Sequence, residues 1–214
     1  MSTPRRALIV IDVQQEYFDG RLPIQFPPRD ESAVRIGQAM DAASRAGIPV
    51  LVVQHLAPTG YPVFAPESPT FELHPEIAKR ADHAAHRFTK HFASVFAGTG
   101  LEDWLREHAI DTVTLVGYMT NNCVLGSAAA AEPLGFTVEV LSDATGAIDI
   151  ANAAGSAPAQ QVHETLMALL NSSWAAVATT SAWGEAAASG IALSRDNLIE
   201  SAARGRANSE STSK

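Results

Sequence analysis

Residues 112–131 read TVTLVGYMTNNCVLGSAAAA, and the way this stretch divides decides the fold. Thr112–Gly117 is a short β-branched run, apolar on both faces, as a strand covered on both sides of a parallel sheet must be. Asn122 to Leu134 is Ala-rich and ends at Pro133 and Gly135, so it reads as a helix with a stop signal. A polar turn ending in Cys123 joins the two. Four other runs share the strand character: Ala7–Asp12, Val50–Gln54, Thr137–Leu141 and Ala175–Thr179. Helical spacing fills the intervals. Glu31 to Ala46 places Val34, Ile36, Ala39, Met40 and Ala43 at helical intervals and stops at Gly47-Ile48-Pro49. Leu101 to His108 and Ala159 to Leu170 repeat the pattern. Strand and helix alternating along most of the chain predict an α/β fold: a doubly wound, mostly parallel open sheet with helices on both faces and right-handed crossovers.

Working outward, one segment breaks the rhythm. Gln54 to Phe96 carries Pro58, Pro62, Pro66, Pro69 and Pro75 with little periodicity, and loops of that length in compact domains are usually functional. Residues 1–186 read as one domain and 187–214 as a tail. Within the tail, Leu193 to Ala203 reads as one more helix, and the small polar stretch Ala207 to Lys214 as disordered.

Composition narrows the function. Lys plus Arg total 15 against 23 for Asp plus Glu, a formal charge of −8, which argues against a nucleic-acid or anionic-membrane surface. The apolar run Ala7–Ile11 is too short for a signal-peptide core or a membrane span. A single cysteine excludes an internal disulfide and suggests a reducing, cytoplasmic setting. No Gly-rich phosphate loop follows the first strand; Asp12-Val13-Gln14-Gln15-Glu16 stands there instead.

In open α/β sheets ligands gather beyond the carboxyl ends of the strands. Asp12 closes the first strand, Cys123 lies in a strand-to-helix turn, and Lys90 sits in the irregular segment. Taken singly, a lone Cys is most often a small buried hydrophobe, Asp12 a satisfied strand-end carboxylate and Lys90 a surface charge.

Together the stretches Ile9-Val10-Ile11-Asp12-Val13-Gln14, Lys90…Ser94-Val95-Phe96 and Gly117-Tyr118-Met119-Thr120-Asn121-Asn122-Cys123-Val124 resemble the three signature segments of the isochorismatase-like cysteine hydrolases, which include nicotinamidase-related amidohydrolases. Val53-Gln54-His55, Glu72-Leu73-His74-Pro75, Leu134-Gly135-Phe136 and Ser142-Asp143-Ala144 extend the resemblance over roughly residues 5 to 182. It implies a catalytic triad of Asp12, Lys90 and Cys123, with Asp12 moving protons and Cys123 attacking a carbonyl. A thiol has an ordinary pKa of about 8.5, so the expectation is a turn and an ammonium that favour the thiolate. The resemblance further implies an oxyanion hole from the backbone N–H groups of Met119 and Cys123, and a cis Tyr118–Met119 bond.

Around these, Tyr17 matches a family position that faces substrate. Tyr118, Thr120 and Asn121 are expected to line the approach to the thiol, and His55, Phe64, Phe71 and Phe92 to wall the site. Four of the seven histidines, His74, His83, His86 and His91, fall close together, but no carboxylate precedes His55 where nicotinamidases carry a metal-binding Asp. The expectation is no metal and no cofactor. Partners reduce to a small-molecule substrate and a second copy or more, as a homodimer or homotetramer. The leading reading is an amidohydrolase cleaving an amide, ureido or carbamoyl C–N bond. Its rivals are an isochorismatase-type vinyl-ether hydrolase, which needs no thiol, and a non-catalytic binding protein that kept the fold.

Overall fold

The computed structural model describes residues 3–212. The chain opens with β1 (Arg6–Ile11), a 3-10 turn at Gln15–Tyr17, helix α1 (Arg29–Arg45) and β2 (Val50–His55). The irregular segment holds a 3-10 turn at Pro69–Phe71, the short α2 (Pro75–Ala81) and β3 (His86–Lys90). Then come α3 (Leu101–Glu107), β4 (Thr112–Tyr118), a π turn at Thr120–Val124, α4 (Leu125–Ala131) and β5 (Thr137–Gly146). A small hairpin, β6 (Ile150–Asn152) and β7 (Gly155–Ala157), precedes α5 (Ala159–Ser173), β8 (Ala175–Ala178), α6 (Thr180–Ser189) and α7 (Leu198–Thr212).

Six strands form one sheet in the order β3-β2-β1-β4-β5-β8, and every neighbouring pair is parallel. This is the predicted doubly wound α/β sheet. Its strands are apolar on both faces because both faces are covered. Leu8 and Val10 of β1 point to a core shared with Ile36 and Met40 of α1 and Trp183 of α6. Ala7, Ile9 and Ile11 point to the other, with Leu105 of α3, Ala128 of α4 and Leu170 of α5. The alternation along β1 is the period-2 geometry of a strand put to use on two cores at once.

Gly117 lets the centre of the sheet close. Its φ is +104°, and a Cβ there would collide with the Ile11 backbone. Only glycine permits β4 to run that close to the end of β1 in that conformation. The consequence is functional: the turn carrying Cys123 emerges beside the residue that follows β1, Asp12.

The differences from expectation lie at the edges. His86–Lys90 is a strand inside the segment read as irregular; its sequence HRFTK is polar and mostly exposed, as an edge strand tolerates. The 186/187 boundary falls inside α6, which runs to Ser189. The tail helix is longer than read, Leu198–Thr212, and covers most of Ala207–Lys214, the rest of which lies outside the described residues. Small and polar residues lack apolar periodicity, yet Ala and Arg among them sustain a helix. No helix among the described residues is long and apolar enough to cross a membrane.

Candidate active site

β1, β3 and β4 bring Asp12, Lys90 and Cys123 to the same edge of the sheet. β3 and β1 are separated by β2, so Lys90 reaches across the end of β2, where His55 is its register partner. Its Nζ lies 2.6 Å from Asp12 Oδ2. The same ammonium donates to Cys123 Sγ at 3.3 Å and to the Phe92 carbonyl at 3.0 Å, and meets His55 Nδ1 at 3.0 Å. Asp12 and Lys90 are wholly buried and Cys123 nearly so. Asp12 also holds a left-handed backbone, φ +51°, rare for a non-glycine and concentrated at functional positions. The Tyr118–Met119 peptide is cis.

The electrostatics correct one expectation. The Cys123 thiol is not pre-ionised: its pKa is pushed up to about 12, first by burial and then by the Asp12 carboxylate, with Lys90 opposing. Helix polarity and one ammonium do not overcome an anion beside a dry thiol. Burial also raises the Asp12 pKa, against Lys90, which pulls it down. Burial acts to lower that of Lys90, but the Asp12 and Cys123 charges outweigh it and the net direction is upward. The shifts therefore favour a neutral thiol beside a charged ammonium, with an Asp12 carboxyl that holds a proton more readily than usual.

His55 is held neutral, its pKa lowered to about 4 by burial and then by Lys90. Nδ1 then accepts from the ammonium. Its ring sits edge-on to Phe64 at 5.1 Å, and Phe64 packs on Tyr17 at 5.3 Å. Phe64, like Asp12, has a positive φ, +55°. Tyr17 is buried, its hydroxyl pKa raised by burial and then by the charges of Cys123 and Asp12. These three rings form one wall beside the triad.

Other expected lining residues point elsewhere. Tyr118 backs Tyr17 at 5.5 Å, but its hydroxyl shares a hydrogen bond of 2.6 Å with Ser32 of α1. Thr120 is wholly buried and bonds His163 Nδ1 at 3.0 Å. Asn121 donates to Met119 Sδ at 3.6 Å and keeps a buried Oδ1 without a partner. Phe71 and Phe92 contribute carbonyls rather than rings: Phe71 accepts from Gln14, Phe92 from Lys90, and the Phe92 side chain is 63% exposed.

Three of the four clustered histidines have local partners, and His83 is exposed. His74 caps α2, accepting from the Glu76 N–H, and stacks on Phe18 at 3.9 Å. His86 packs on Phe88 and His91 pairs with the Leu56 carbonyl. Among the described residues no group of three His, Cys, Asp or Glu side chains is placed to hold a metal ion.

Two supporting residues escaped the sequence reading. Gln14 is buried and bridges strands and loop: Nε2 donates to the carbonyls of His55 and Phe71, and Oε1 accepts from the His55 N–H. It fixes the backbone on either side of the Phe64 wall. Ser127 donates to the Cys123 carbonyl at 2.6 Å and accepts from the Val95 N–H. The available signal was spacing, Gln14 two residues after Asp12 and Ser127 four after Cys123 on the following helix.

Residues 6–182 match the Isochorismatase domain. The crystal structure of a candidate isochorismatase from Burkholderia xenovorans LB400 is 45% identical, covers 98% of this chain and 100% of its own, and superposes with a TM-score of 0.95. A secreted isochorismatase effector of Verticillium dahliae is 32% identical over 70% of this chain and 76% of its own. N-carbamoylsarcosine amidase from Thermoplasma acidophilum is 29% identical over 67% of this chain and 84% of its own, with a TM-score of 0.58. The matched span contains all three strand-end residues and the core of both sheet faces, and on that ground the chain belongs to the isochorismatase family.

Proposed function

We propose that the chain hydrolyses the C–N bond of a small amide, ureido or carbamoyl compound through a thioester on Cys123. The carrying observation is one ammonium, Lys90 Nζ, within 2.6 Å of the Asp12 carboxylate and 3.3 Å of the Cys123 sulfur in a buried site. Because the thiol rests neutral, attack requires its proton to move to Asp12. That transfer leaves the net charge of the three groups unchanged: Lys90 ceases to pair with a carboxylate and pairs with a thiolate. The raised Asp12 pKa favours the transfer. Little solvent reorganisation is required among buried side chains.

The thiolate then bonds to the substrate carbon, and the carbonyl oxygen becomes an oxyanion received by the Met119 and Cys123 N–H groups. Collapse breaks the C–N bond as Asp12 returns its proton to the leaving nitrogen. Water attacks the thioester, Asp12 takes its proton, and the acid leaves with the thiol restored. Amide hydrolysis by an N-carbamoylsarcosine amidase of the same fold supports the reading.

The test is ammonia release from a panel of primary amides, ureas and N-carbamoyl compounds, with acid-quenched mass spectrometry for the acyl-enzyme. Wild type is expected to accumulate a Cys123 adduct, and Cys123→Ala to lose turnover. Turnover that survives in Cys123→Ala removes the covalent mechanism and favours vinyl-ether hydrolysis, the activity suggested by the name of the Verticillium relative.

A further inference from the structure

Outside the triad, one buried titratable side chain touches the turn that carries Cys123. His163 lies on α5, is 3% exposed, and meets Thr120 Oγ1 through Nδ1 at 3.0 Å. Thr120 opens the π turn and is itself wholly buried. The His163 ring is braced from behind by Phe26, edge-on at 5.6 Å, and Phe26 is locked to Ala147 by backbone hydrogen bonds in both directions. Burial holds the His163 pKa below its ordinary value, against an opposing hydrogen bond to the Ser142 peptide. Burial thus favours the neutral ring, and with its proton on the other nitrogen Nδ1 accepts from the Thr120 hydroxyl.

Within the turn, the Leu125 N–H reaches the Thr120 and Asn122 carbonyls. Met119 O accepts from the N–H groups of Asn122 and Val124, and Ser127 holds the Cys123 carbonyl. Ser127 anchors the rear of the turn to α4, and Thr120 with His163 anchors its front to α5. The Cys123 N–H assigned above to the oxyanion lies between those anchors, and the Met119 N–H one residue before the first.

We propose that His163 is a positioning residue: acting through Thr120, it fixes the Met119–Cys123 peptides so that their N–H groups converge on the oxyanion. The proposal rests on the thioester reading. Its difference from an ordinary satisfied core histidine is that loss of the bond should affect a tetrahedral adduct more than the thiol or the fold.

Small aldehydes test this without a known substrate. Propionaldehyde adds to the thiol as a hemithioacetal: the S–C bond forms, and the carbonyl oxygen becomes an alkoxide or, with the thiol proton, a hydroxyl in the oxyanion position. Its affinity is read as protection of Cys123 against iodoacetamide, with the unprotected alkylation rate and the melting temperature measured alongside. Thr120→Val and His163→Phe are each expected to weaken propionaldehyde about tenfold, below the cost of removing a donor outright because the N–H groups are only misaligned. The unprotected alkylation rate should stay within about twofold, since Asp12 and Lys90 are untouched. The double variant should lose no more than either single one, the signature of residues acting as a unit. His163→Asn, which restores an amide near the Nδ1 position, should recover affinity to within about threefold of wild type.

A folded His163→Phe, or a folded Thr120→Val if the former does not fold, that keeps wild-type propionaldehyde affinity overturns the proposal. So do losses that multiply in the double variant. Absence of protection in the wild type overturns the thioester reading as well, so the two failures are distinguishable.

Discussion

Strand β1 has a buried ion pair at each end, and the two are built differently. At its start, Arg6 and Glu139 meet at 2.8 Å with both side chains 2% exposed. Glu139 is saturated: Arg6 Nε and Nη2 bond it, and Thr114 Oγ1 and Trp183 Nε1 each donate to Oε2 at 2.8 Å. Arg6 spends a further N–H on the Ile191 carbonyl. Beyond the strand's other end, Asp12 has the Lys90 ammonium 2.6 Å from Oδ2, but both of its oxygens are buried without a fixed hydrogen bond beside a neutral thiol. Buried charges are stabilised by complete satisfaction; an incompletely satisfied one has a place for a moving proton. The first pair holds the sheet together, and the second is arranged to react.

The largest expected effect is at the reactive end. Cys123→Ala and Asp12→Asn should each lower amide turnover by at least about a thousandfold, because nucleophile and proton carrier act as a unit. Initial-rate ammonia assays check this. Glu139→Gln should leave turnover within about twofold of wild type, since Glu139 lies at the opposite edge of the sheet from the triad. Turnover lost equally in both would erase the distinction.

Stability inverts the order. Glu139→Gln removes the partner of a buried guanidinium and should cost about 3 kcal/mol in urea unfolding. Trp183→Phe deletes hydrogen bonds to Thr114 and Glu139 at 3.0 and 2.8 Å and should cost about 1–3 kcal/mol. Cys123→Ala should cost about 1 kcal/mol, mostly lost packing. If Cys123→Ala proved the most destabilising of the three, the sulfur would be a core residue first and a nucleophile second.

How far the sequence revealed these two ends differs for a physical reason. β1, β2, β4, β5 and β8 were legible because strands covered on both faces are continuously apolar. Asp12 and Cys123 stood out as polar residues at the ends of such runs. β3 was not legible: His86, Arg87 and Thr89 face solvent on an edge strand, so Lys90 was placed by resemblance rather than by periodicity. The Arg6–Glu139–Trp183 network was invisible, since its members lie 133 and 44 residues apart and share no spacing. His163 looked like any polar position on an amphipathic helix. Charge state was the other hidden quantity: a strand-to-helix turn suggests a thiolate, and burial of the sulfur, followed by the Asp12 charge beside it, reverses it.

That reversal predicts alkylation behaviour opposite to the usual rule for a catalytic cysteine. Near neutral pH, Cys123 should react with iodoacetamide more slowly than a free thiol, and its rate should go on rising above pH 9 instead of levelling. Asp12→Asn removes a charge that raises the thiol pKa, so it should accelerate alkylation, about tenfold for each unit the pKa falls, while abolishing turnover. Lys90→Met should slow alkylation further, because Lys90 is the group that lowers the thiol pKa. A wild-type rate that plateaus near pH 7 would mean the site rests as a thiolate.

The smallest effect concerns His55, the neutral neighbour that only the reactive pair has. Its folded pKa, about 4, lies below the ordinary value of 6.5, so between those limits the unfolded chain binds more protons than the folded one. Stability from keeping the ring neutral is therefore complete above pH 6.5 and is lost as pH falls toward 4. Protonation would place a cation 3.0 Å from Lys90 Nζ and remove the acceptor that Nδ1 supplies. His55→Asn keeps an acceptor near that point and cannot titrate, so its urea midpoint should fall less steeply than wild type from pH 6.5 to 4. The ring is only partly buried and solvent screens it, so the difference should stay under about 1 kcal/mol. Parallel acid limbs would show that Lys90 does not depend on His55 for its placement, and that Asp12 and the Phe92 carbonyl suffice to hold the ammonium over the sulfur.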